Sequence, residues 1–119
     1  MSATGQGAER ACRNIDTFLE GKEIVGVEIP CLLPLPEKGA VITGVIDLVY
    51  RDRKTGELVV VDYKTGAFHD EYRWQLSVYG HCAGTRRLTV VLPGTAGAHA
   101  VELADICAIA GRTAKNSKI

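Results

Sequence analysis

Two dense β-branched segments, residues 41–50 (VITGVIDLVY) and 57–63 (ELVVVDY), most constrain how this chain can fold. The segment between them is polar and ends in Gly56, which is typical of a hairpin connection. Apolar runs of this density favour strands in a sheet that is covered on both faces. The sequence therefore predicts an antiparallel hairpin inside a two-sided α/β domain.

The segments before the hairpin predict one helix and one strand. Apolar residues recur at spacings of three and four over residues 7–20, which predicts a helix. Residues 24–29 are β-branched and partly alternating, which predicts a strand. Pro30, Pro34 and Pro36 predict that this strand is short and that it lies at an edge or continues irregularly.

The segments after the hairpin alternate between helix and strand patterns. They predict a helix over residues 70–83, a strand over 87–92, a further strand over 98–103 and a closing helix over 104–115. The complete order α-β-β-β-α-β-(β)-α predicts an α/β fold in which helices flank a mixed β-sheet. Because no repeat, low-complexity block or linker interrupts the chain, we expect residues 1–119 to form a single domain.

Composition narrows the function classes. The 119 residues carry 14 basic and 14 acidic side chains, which excludes proteins that bind nucleic acid through a large basic excess. Neutrality does not exclude a metal-dependent nuclease, in which metal-binding carboxylates offset the basic residues that hold phosphate. No stretch approaches the roughly 20 apolar residues of a membrane span, and the N-terminus lacks a signal-peptide pattern. We therefore expect a cytoplasmic protein that does not enter a membrane.

The four cysteines, Cys12, Cys31, Cys82 and Cys107, are widely spaced. The absence of a C-x-x-C pair disfavours a zinc knuckle or a thioredoxin-like motif. An even number in a short chain would suit two disulfides, but nothing in the sequence indicates secretion. The pattern favours buried free thiols.

Charged residues interrupt both strands of the predicted hairpin. Asp47 lies among apolar neighbours in the first strand, and Asp62 and Lys64 lie at the end of the second. Since strand side chains alternate, Asp62 and Lys64 face the same side, and Asp47 can reach that side from the neighbouring strand. Two carboxylates and an ammonium group then converge at one end of an otherwise apolar hairpin.

Two interpretations of this convergence are open. A D-x-K pattern taken alone is most often an exposed ion pair, which contributes little to stability. The apolar neighbours of Asp47 and Asp62, however, are poor surroundings for solvated charges. Gln75 and Tyr79 lie one turn apart on the following helix, with Tyr72 in the same stripe. The set as a whole favours a functional site.

A divalent cation is one reason to bring such carboxylates together. Mg²⁺ prefers oxygen ligands and typically uses one or two carboxylates together with water or phosphate. Lys64 would then hold the attacking water or offset negative charge that develops on a phosphate. The pattern therefore favours Mg²⁺ as the cofactor.

The motifs in their order resemble those of the RecB-type nucleases of the PD-(D/E)XK superfamily. The resemblance rests on residues 44–47 (GVID), on 61–66 (VDYKTG) and on Gln75 with Tyr79, within a similar element order over residues 24–115. It implies a restriction-endonuclease-like core. Relatives of this pattern occur in helicase–nuclease subunits, in phage exonucleases and in CRISPR-associated exonucleases.

The resemblance also implies roles for individual residues. Asp47 and Asp62 correspond to the aspartates that bind Mg²⁺ or Mn²⁺ in the family, and the main-chain carbonyl of Tyr63 corresponds to a further ligand. Lys64 corresponds to the catalytic lysine. The residues that correspond to supports of the site and its DNA are Gln75 and Tyr79.

One ligand of the family has no counterpart by residue type. Many members carry a metal-binding histidine on a helix before the first strand, whereas the first histidine here is His69. Glu9 or Glu20 on the first helix are candidates to approach the metal instead. Glu28 is a further candidate, because its Val-Glu-Ile-Pro context is similar to that of the first-strand glutamate in many relatives. An outward-facing charge on a half-buried strand is an equally good interpretation of Glu28.

By this resemblance we expect a Mg²⁺- or Mn²⁺-dependent deoxyribonuclease, an exonuclease rather than an endonuclease, that hydrolyses phosphodiester bonds in DNA repair or recombination. The expected partners are DNA, a helicase or another repair or phage protein, and a second copy of the chain. The alternative is a catalytically idle module that binds DNA or docks in a helicase–nuclease complex, which the short chain and the absent histidine favour. Relatives with an iron–sulfur cluster need three cysteines near the C-terminus, where only Cys107 lies, so we expect no cluster.

Overall fold

The computed structural model describes the backbone of residues 3–95 and 97–115 and the side chains of residues 8–95 and 97–112. In chain order the elements are α1 (Ala3–Leu19), β1 (Glu23–Leu35), a 3₁₀ turn (Pro36–Lys38), β2 (Ala40–Arg51), β3 (Leu58–Tyr63), α2 (Tyr72–Ala83), β4 (Arg87–Leu92), β5 (Gly97–Val101) and α3 (Ile106–Lys115). This order confirms the predicted α/β fold and includes the fifth strand. The predictions of a single domain and of an N-terminus without a signal peptide extend over Met1, Ser2 and residues 116–119, which lie outside the described residues.

The described strands form one mixed sheet in the order β1-β2-β3-β4-β5. The β1–β2, β2–β3 and β4–β5 pairs are antiparallel, whereas β3 and β4 are parallel and are connected through α2. The β2–β3 ladder ends at the pair Leu48–Val61, one residue before Asp47 and Asp62 would pair. The two aspartates therefore lie where the hairpin ladder stops.

Apolar side chains cover both faces of the sheet, as the dense strand patterns predict. On one face, the larger core cluster joins strand residues such as Val60 and Val90 to Leu76 of α2 and Ile109 of α3. On the other face, a smaller cluster around Val61 packs against α1. None of the described helices is long and apolar enough to cross a membrane.

The first strand is longer than its prolines predict. β1 continues through Pro30 and Pro34 to Leu35, and these prolines lie opposite Val45 and Val41 of β2. The prediction of a short strand was wrong, because β1 is an edge strand whose only neighbour among the described strands is β2. An edge strand tolerates prolines, whose missing N–H groups cost it no ladder bond on the outer side.

The cysteines are not uniformly buried. All four are free thiols, but Cys12 on α1 and Cys107 on α3 are exposed. Cys31 is buried and Cys82 is half-buried. The prediction of buried thiols holds fully only for Cys31, because the described face of α1 and of α3 that carries the other two cysteines points to solvent.

Replacing Gly80 with alanine is expected to lower the free energy of unfolding by about 2 kcal/mol. A Cβ atom at this position would lie 2.7 Å from Leu88 Cδ2 and 2.9 Å from the backbone oxygen of Thr85, which cannot rotate away. Gly111→Ala in α3 is the matched control, since its Cβ would meet no atom within 4 Å. Helix propensity alone favours alanine at both positions, so urea unfolding should give opposite signs for the two variants. Equal stabilisation of both would contradict the packing argument.

Candidate active site

Asp47 and Asp62 lie on the face of the sheet that α2 covers. Asp47 is two residues before Val49, and Asp62 is two residues after Val60, and both valines belong to the core cluster on the α2 side. Because strand side chains alternate, both carboxylates share that face. The register of β2 and β3 therefore brings the two aspartates to one place.

The carboxylate of Asp47 takes over a backbone hydrogen bond where the ladder stops. A regular continuation beyond Leu48–Val61 would give the Tyr63 N–H to a main-chain carbonyl of β2. Instead, the Tyr63 N–H donates to Asp47 Oδ2 at 2.9 Å. This bond holds the Asp47 side chain against the backbone of β3 and leaves its other oxygen for a further partner.

Asp62 is a buried carboxylate with incomplete hydrogen bonding. Its exposed fraction is 3%, and its Oδ2 atom lies 2.9 Å from Lys64 Nζ. Oδ2 has no hydrogen bond among the described residues, so this buried atom is held by its ion pair with Lys64. Burial raises the pKa of Asp62 to about 6, against the lowering effect of Lys64 and with a smaller upward effect of Asp47.

Lys64 is held by groups from β4 and α2. Its backbone N–H donates to the carbonyl of Val91 in β4 at 2.9 Å, which ties the residue after β3 to the sheet. Its Nζ atom donates to Gln75 Oε1 at 2.6 Å and lies 5.3 Å from the centre of the Tyr72 ring. These contacts direct the ammonium group back toward Asp62 rather than into solvent.

The N-terminal half of α2 completes the group. Gln75 Nε2 donates to the hydroxyl of Tyr79 at 3.0 Å, one turn further along the helix. Tyr79 is buried, and its pKa is raised by burial and then by the negative charge of Asp62. Contacts thus run without interruption from Asp62 through Lys64 and Gln75 to Tyr79.

Gly44 has a role that the motif alone did not reveal. A Cβ atom on Gly44 would lie 2.9 Å from Cε1 of the Tyr79 ring, so only glycine lets this ring pack against β2. A glycine inside a strand is a known sign of such a close approach. That signal was present in the sequence, but it did not identify Tyr79 as the neighbour.

The glutamates proposed as further ligands do not join this group. Glu28 is exposed, and its φ of 49° is a rare backbone conformation in the middle of β1. Glu9 is exposed on α1, the helix that packs on the opposite face of the sheet through Phe18 and Leu19. Among the described residues, no hydrogen bond or ion pair connects Glu9, Glu20 or Glu28 to the aspartates, and no three His, Cys, Asp or Glu residues cluster as a metal site.

The donor set of Asp47 and Asp62 nevertheless suits a hard divalent cation. Two carboxylates on one face, one of them with a buried oxygen that makes no hydrogen bond among the described residues, provide the oxygen ligands that Mg²⁺ prefers, and Mg²⁺ keeps several waters of its own. A cation between them would relieve the cost of burying the Asp62 charge. The residues present therefore fit a divalent metal with few protein ligands.

The mixed sheet of five described strands, flanked by helices, has a restriction-endonuclease-like α/β fold. The sequence profile of the PD-(D/E)XK nuclease superfamily matches residues 3–115. The chain belongs to the PD-(D/E)XK nuclease superfamily. Nucleases of this superfamily generally use divalent metals such as Mg²⁺.

A chain in the crystal structure of SSO0001 has the same fold, with a TM-score of 0.62 and 19% sequence identity. The likeness covers 98% of this chain but only 60% of that one, so this chain spans less than two thirds of the length of the solved structure. No curated protein matches the sequence.

Proposed function

We propose that this protein is a metal-dependent deoxyribonuclease of the RecB type that acts as an exonuclease. The observation that carries the metal-dependent part of the proposal is the Asp62 carboxylate, which is 3% exposed and whose Oδ2 atom forms an ion pair with Lys64 Nζ at 2.9 Å but no hydrogen bond among the described residues. The choice of an exonuclease follows the resemblance to RecB-type nucleases. A structural ion pair would place these charges in solvent or complete their hydrogen bonds. A buried carboxylate whose charge is only partly compensated has a reason to exist if it receives a ligand.

In this proposal Asp47 and Asp62 hold Mg²⁺ or Mn²⁺, and the main-chain carbonyl of Tyr63 adds a third oxygen. When bound, the cation supplies Lewis-acid chemistry: it polarises the scissile phosphate and lowers the pKa of the attacking water. The hydrogen bond from the Tyr63 N–H to Asp47 keeps that carboxylate in position. The protein thus provides a preformed oxygen-rich face at the end of the hairpin.

The side chains beside the carboxylates would act on the phosphate and the water. Lys64 carries a positive charge at the carboxylates, where it can orient the water or offset the charge that grows on the phosphate oxygens. Gln75 accepts a hydrogen bond from Lys64 at 2.6 Å and donates one to the hydroxyl of Tyr79, so it positions the Lys64 ammonium group. Tyr79 is a positioning residue that is seated against Gly44.

Calorimetric titration with Mn²⁺ tests the metal site directly. Asp47→Asn keeps an oxygen that can accept from the Tyr63 N–H, so the local fold should remain while one anionic ligand is lost. We expect this change to weaken Mn²⁺ binding by at least about 10–100-fold. The matched control is Asp16→Asn on the exposed surface of α1. This variant should bind Mn²⁺ with the affinity of the unchanged protein. Equal affinity of the Asp47 variant and the unchanged protein would refute the assignment.

A catalytically idle module that binds DNA or docks in a helicase–nuclease complex is the second candidate. The observation that favours it is the absence of a third protein carboxylate or histidine at the aspartates among the described residues. Such a module would bind DNA with Mg²⁺ present and leave it intact. Digestion of linear DNA in Mg²⁺ separates the two candidates, since only the nuclease shortens the strands.

A further inference from the structure

Two of the four cysteines face each other across the larger core. Cys31 lies on β1 and is 3% exposed, and Cys82 lies in the last turn of α2 and is half-buried. Their sulfur atoms are 2.6 Å apart, although the residues are 51 positions apart in the sequence. The Cys82 thiol also reaches the carbonyl of Leu32 at 3.2 Å. The fold thus brings two distant thiols into direct contact.

This thiol pair lies next to the candidate active site. Cys31 pairs across the sheet with Gly44, the residue against which the Tyr79 ring packs. Cys82 follows Tyr79 by three residues, so both side chains point to the same side of α2. A bond between the two sulfurs would therefore join the edge strand to the helix that carries Gln75 and Tyr79.

We propose that Cys31 and Cys82 form a redox modification site, which a small-molecule disulfide such as glutathione disulfide converts into an intramolecular disulfide between β1 and α2. The inference goes beyond the proposed nuclease function and does not depend on it. Cys12 and Cys107 lie exposed on α1 and α3 and are not part of the site.

The reaction proceeds by two thiol–disulfide exchanges. The Cys82 thiolate attacks one sulfur of glutathione disulfide, the S–S bond of the reagent breaks, and one glutathione thiolate leaves. The Cys31 sulfur then gives up its proton and attacks the Cys82 sulfur, which releases the second glutathione thiolate. Both leaving thiolates take up a proton, so two protein thiols are oxidised while one glutathione disulfide is reduced to two glutathione molecules.

The surroundings of the two thiols indicate which of them reacts first with glutathione disulfide. Burial, together with a smaller effect of the neighbouring Cys82, raises the pKa of the Cys31 thiol to about 12. Cys31 is therefore a poor first nucleophile, because thiolate is the reactive form. Cys82 is the more accessible thiol and reacts first with glutathione disulfide. Cys31 then attacks the mixed disulfide on Cys82.

The disulfide would close a loop that contains β2, β3 and the site. Closing a long loop restricts the unfolded chain, and we expect the midpoint of thermal unfolding to rise by on the order of 10 °C. The bond would also fix β1, which in the described part of the chain pairs with no strand but β2. Dithiothreitol should reverse the shift.

The experiment uses the double variant Cys12→Ser/Cys107→Ser, which retains only the proposed pair. After incubation with glutathione disulfide, thiols are counted with Ellman's reagent in denaturant, the mass is measured and the unfolding midpoint is compared before and after reduction. We expect loss of both thiols, no attached glutathione, a monomer on a non-reducing gel and the higher midpoint. In the unchanged protein the exposed Cys12 and Cys107 also exchange with glutathione disulfide, so the thiol count is made on the double variant.

Cys82→Ala and Cys82→Ser in the same background are the matched controls, and each should keep its Cys31 thiol and its original unfolding midpoint. Persistent attachment of glutathione, cross-linked dimers or two unreacted thiols in the double variant would each overturn the proposal. Loss of both thiols without a change in the midpoint would overturn the link between β1 and α2. None of these readouts requires nuclease activity, so a failure of the proposed function leaves the test intact.

Discussion

Lys64→Ala is expected to lower the rate of Mg²⁺-dependent hydrolysis of linear DNA by about 10²–10³-fold, the loss typical of one preorganised electrostatic contact in a transition state. The Lys64 ammonium group lies 2.9 Å from Asp62 Oδ2 and 2.6 Å from Gln75 Oε1, so it is already in place before substrate binds. Its side chain is only 24% exposed. A lysine elsewhere on the surface, which is not held in this position, cannot substitute for it. Initial rates on end-labelled DNA measure the effect.

The matched control is Lys38→Ala, which removes the same charge from the exposed 3₁₀ turn. This variant should digest DNA at the rate of the unchanged protein. Far-ultraviolet circular dichroism should show the same helix and strand content in both variants, because neither side chain is part of the core. A Lys64→Ala protein that retains full activity would exclude Lys64 from the chemistry.

Asp62→Asn is expected to abolish metal-dependent cleavage while it makes the metal-free protein more stable at neutral pH. The buried Asp62 carboxylate has a pKa of about 6, against an ordinary value of 3.8, because burial disfavours its charge. A shift of this size corresponds to on the order of 2–3 kcal/mol, which the neutral asparagine would recover in part. We expect the unfolding midpoint to rise by about 5–10 °C without metal.

The sign of the pH dependence follows from the direction of this shift. Between about pH 4 and pH 6 the folded state holds a proton on Asp62 that the unfolded chain has released. Stability of the metal-free protein therefore falls as the pH rises through this window, and the contribution of Asp62 is constant on either side of it. The difference in stability between Asp62→Asn and the unchanged protein should grow from pH 4 to pH 6 and then level off.

Thermal unfolding in a chelator at several pH values measures this difference. Asp16→Asn on exposed α1 serves as the control, and its difference from the unchanged protein should not vary with pH in this way. Excess Mn²⁺ should stabilise the unchanged protein and leave the Asp62 variant unaffected. A variant that is less stable than the unchanged protein at pH 7 without metal would show that Asp62 is a structural ion-pair partner of Lys64.

Lys64→Ala and Asp62→Asn together test whether the buried charge of Asp62 lowers the stability of the protein while it supports catalysis. The buried charge of Asp62 lowers stability, and Lys64 compensates only part of this loss, since the pKa of Asp62 remains raised. Stability that is lost at buried charges is a common mark of functional sites. The apolar cores on both faces of the sheet make this cost tolerable.

Local patterns predicted the elements of this fold well. The order of helices and strands and the β2–β3 hairpin agree with the periodicity of apolar residues, and β4 occupies residues 87–92 as predicted. The length of β1 was not predictable, because the effect of Pro30 and Pro34 depends on which strand lies on each side. Neighbouring strands are a property of the whole sheet, which the residues around a proline do not encode.

The sequence by itself determined that Asp47, Asp62 and Lys64 lie at one end of a hairpin, because alternation along a strand and a short turn are local rules. Only the tertiary structure decided what each of them contacts. The register of β2 against β3 gives the Tyr63 N–H to Asp47, and the packing of α2 across the sheet brings Gln75 to Lys64 and Cys82 to Cys31. These contacts join residues far apart in the chain, and their distances depend on the packing of the complete core.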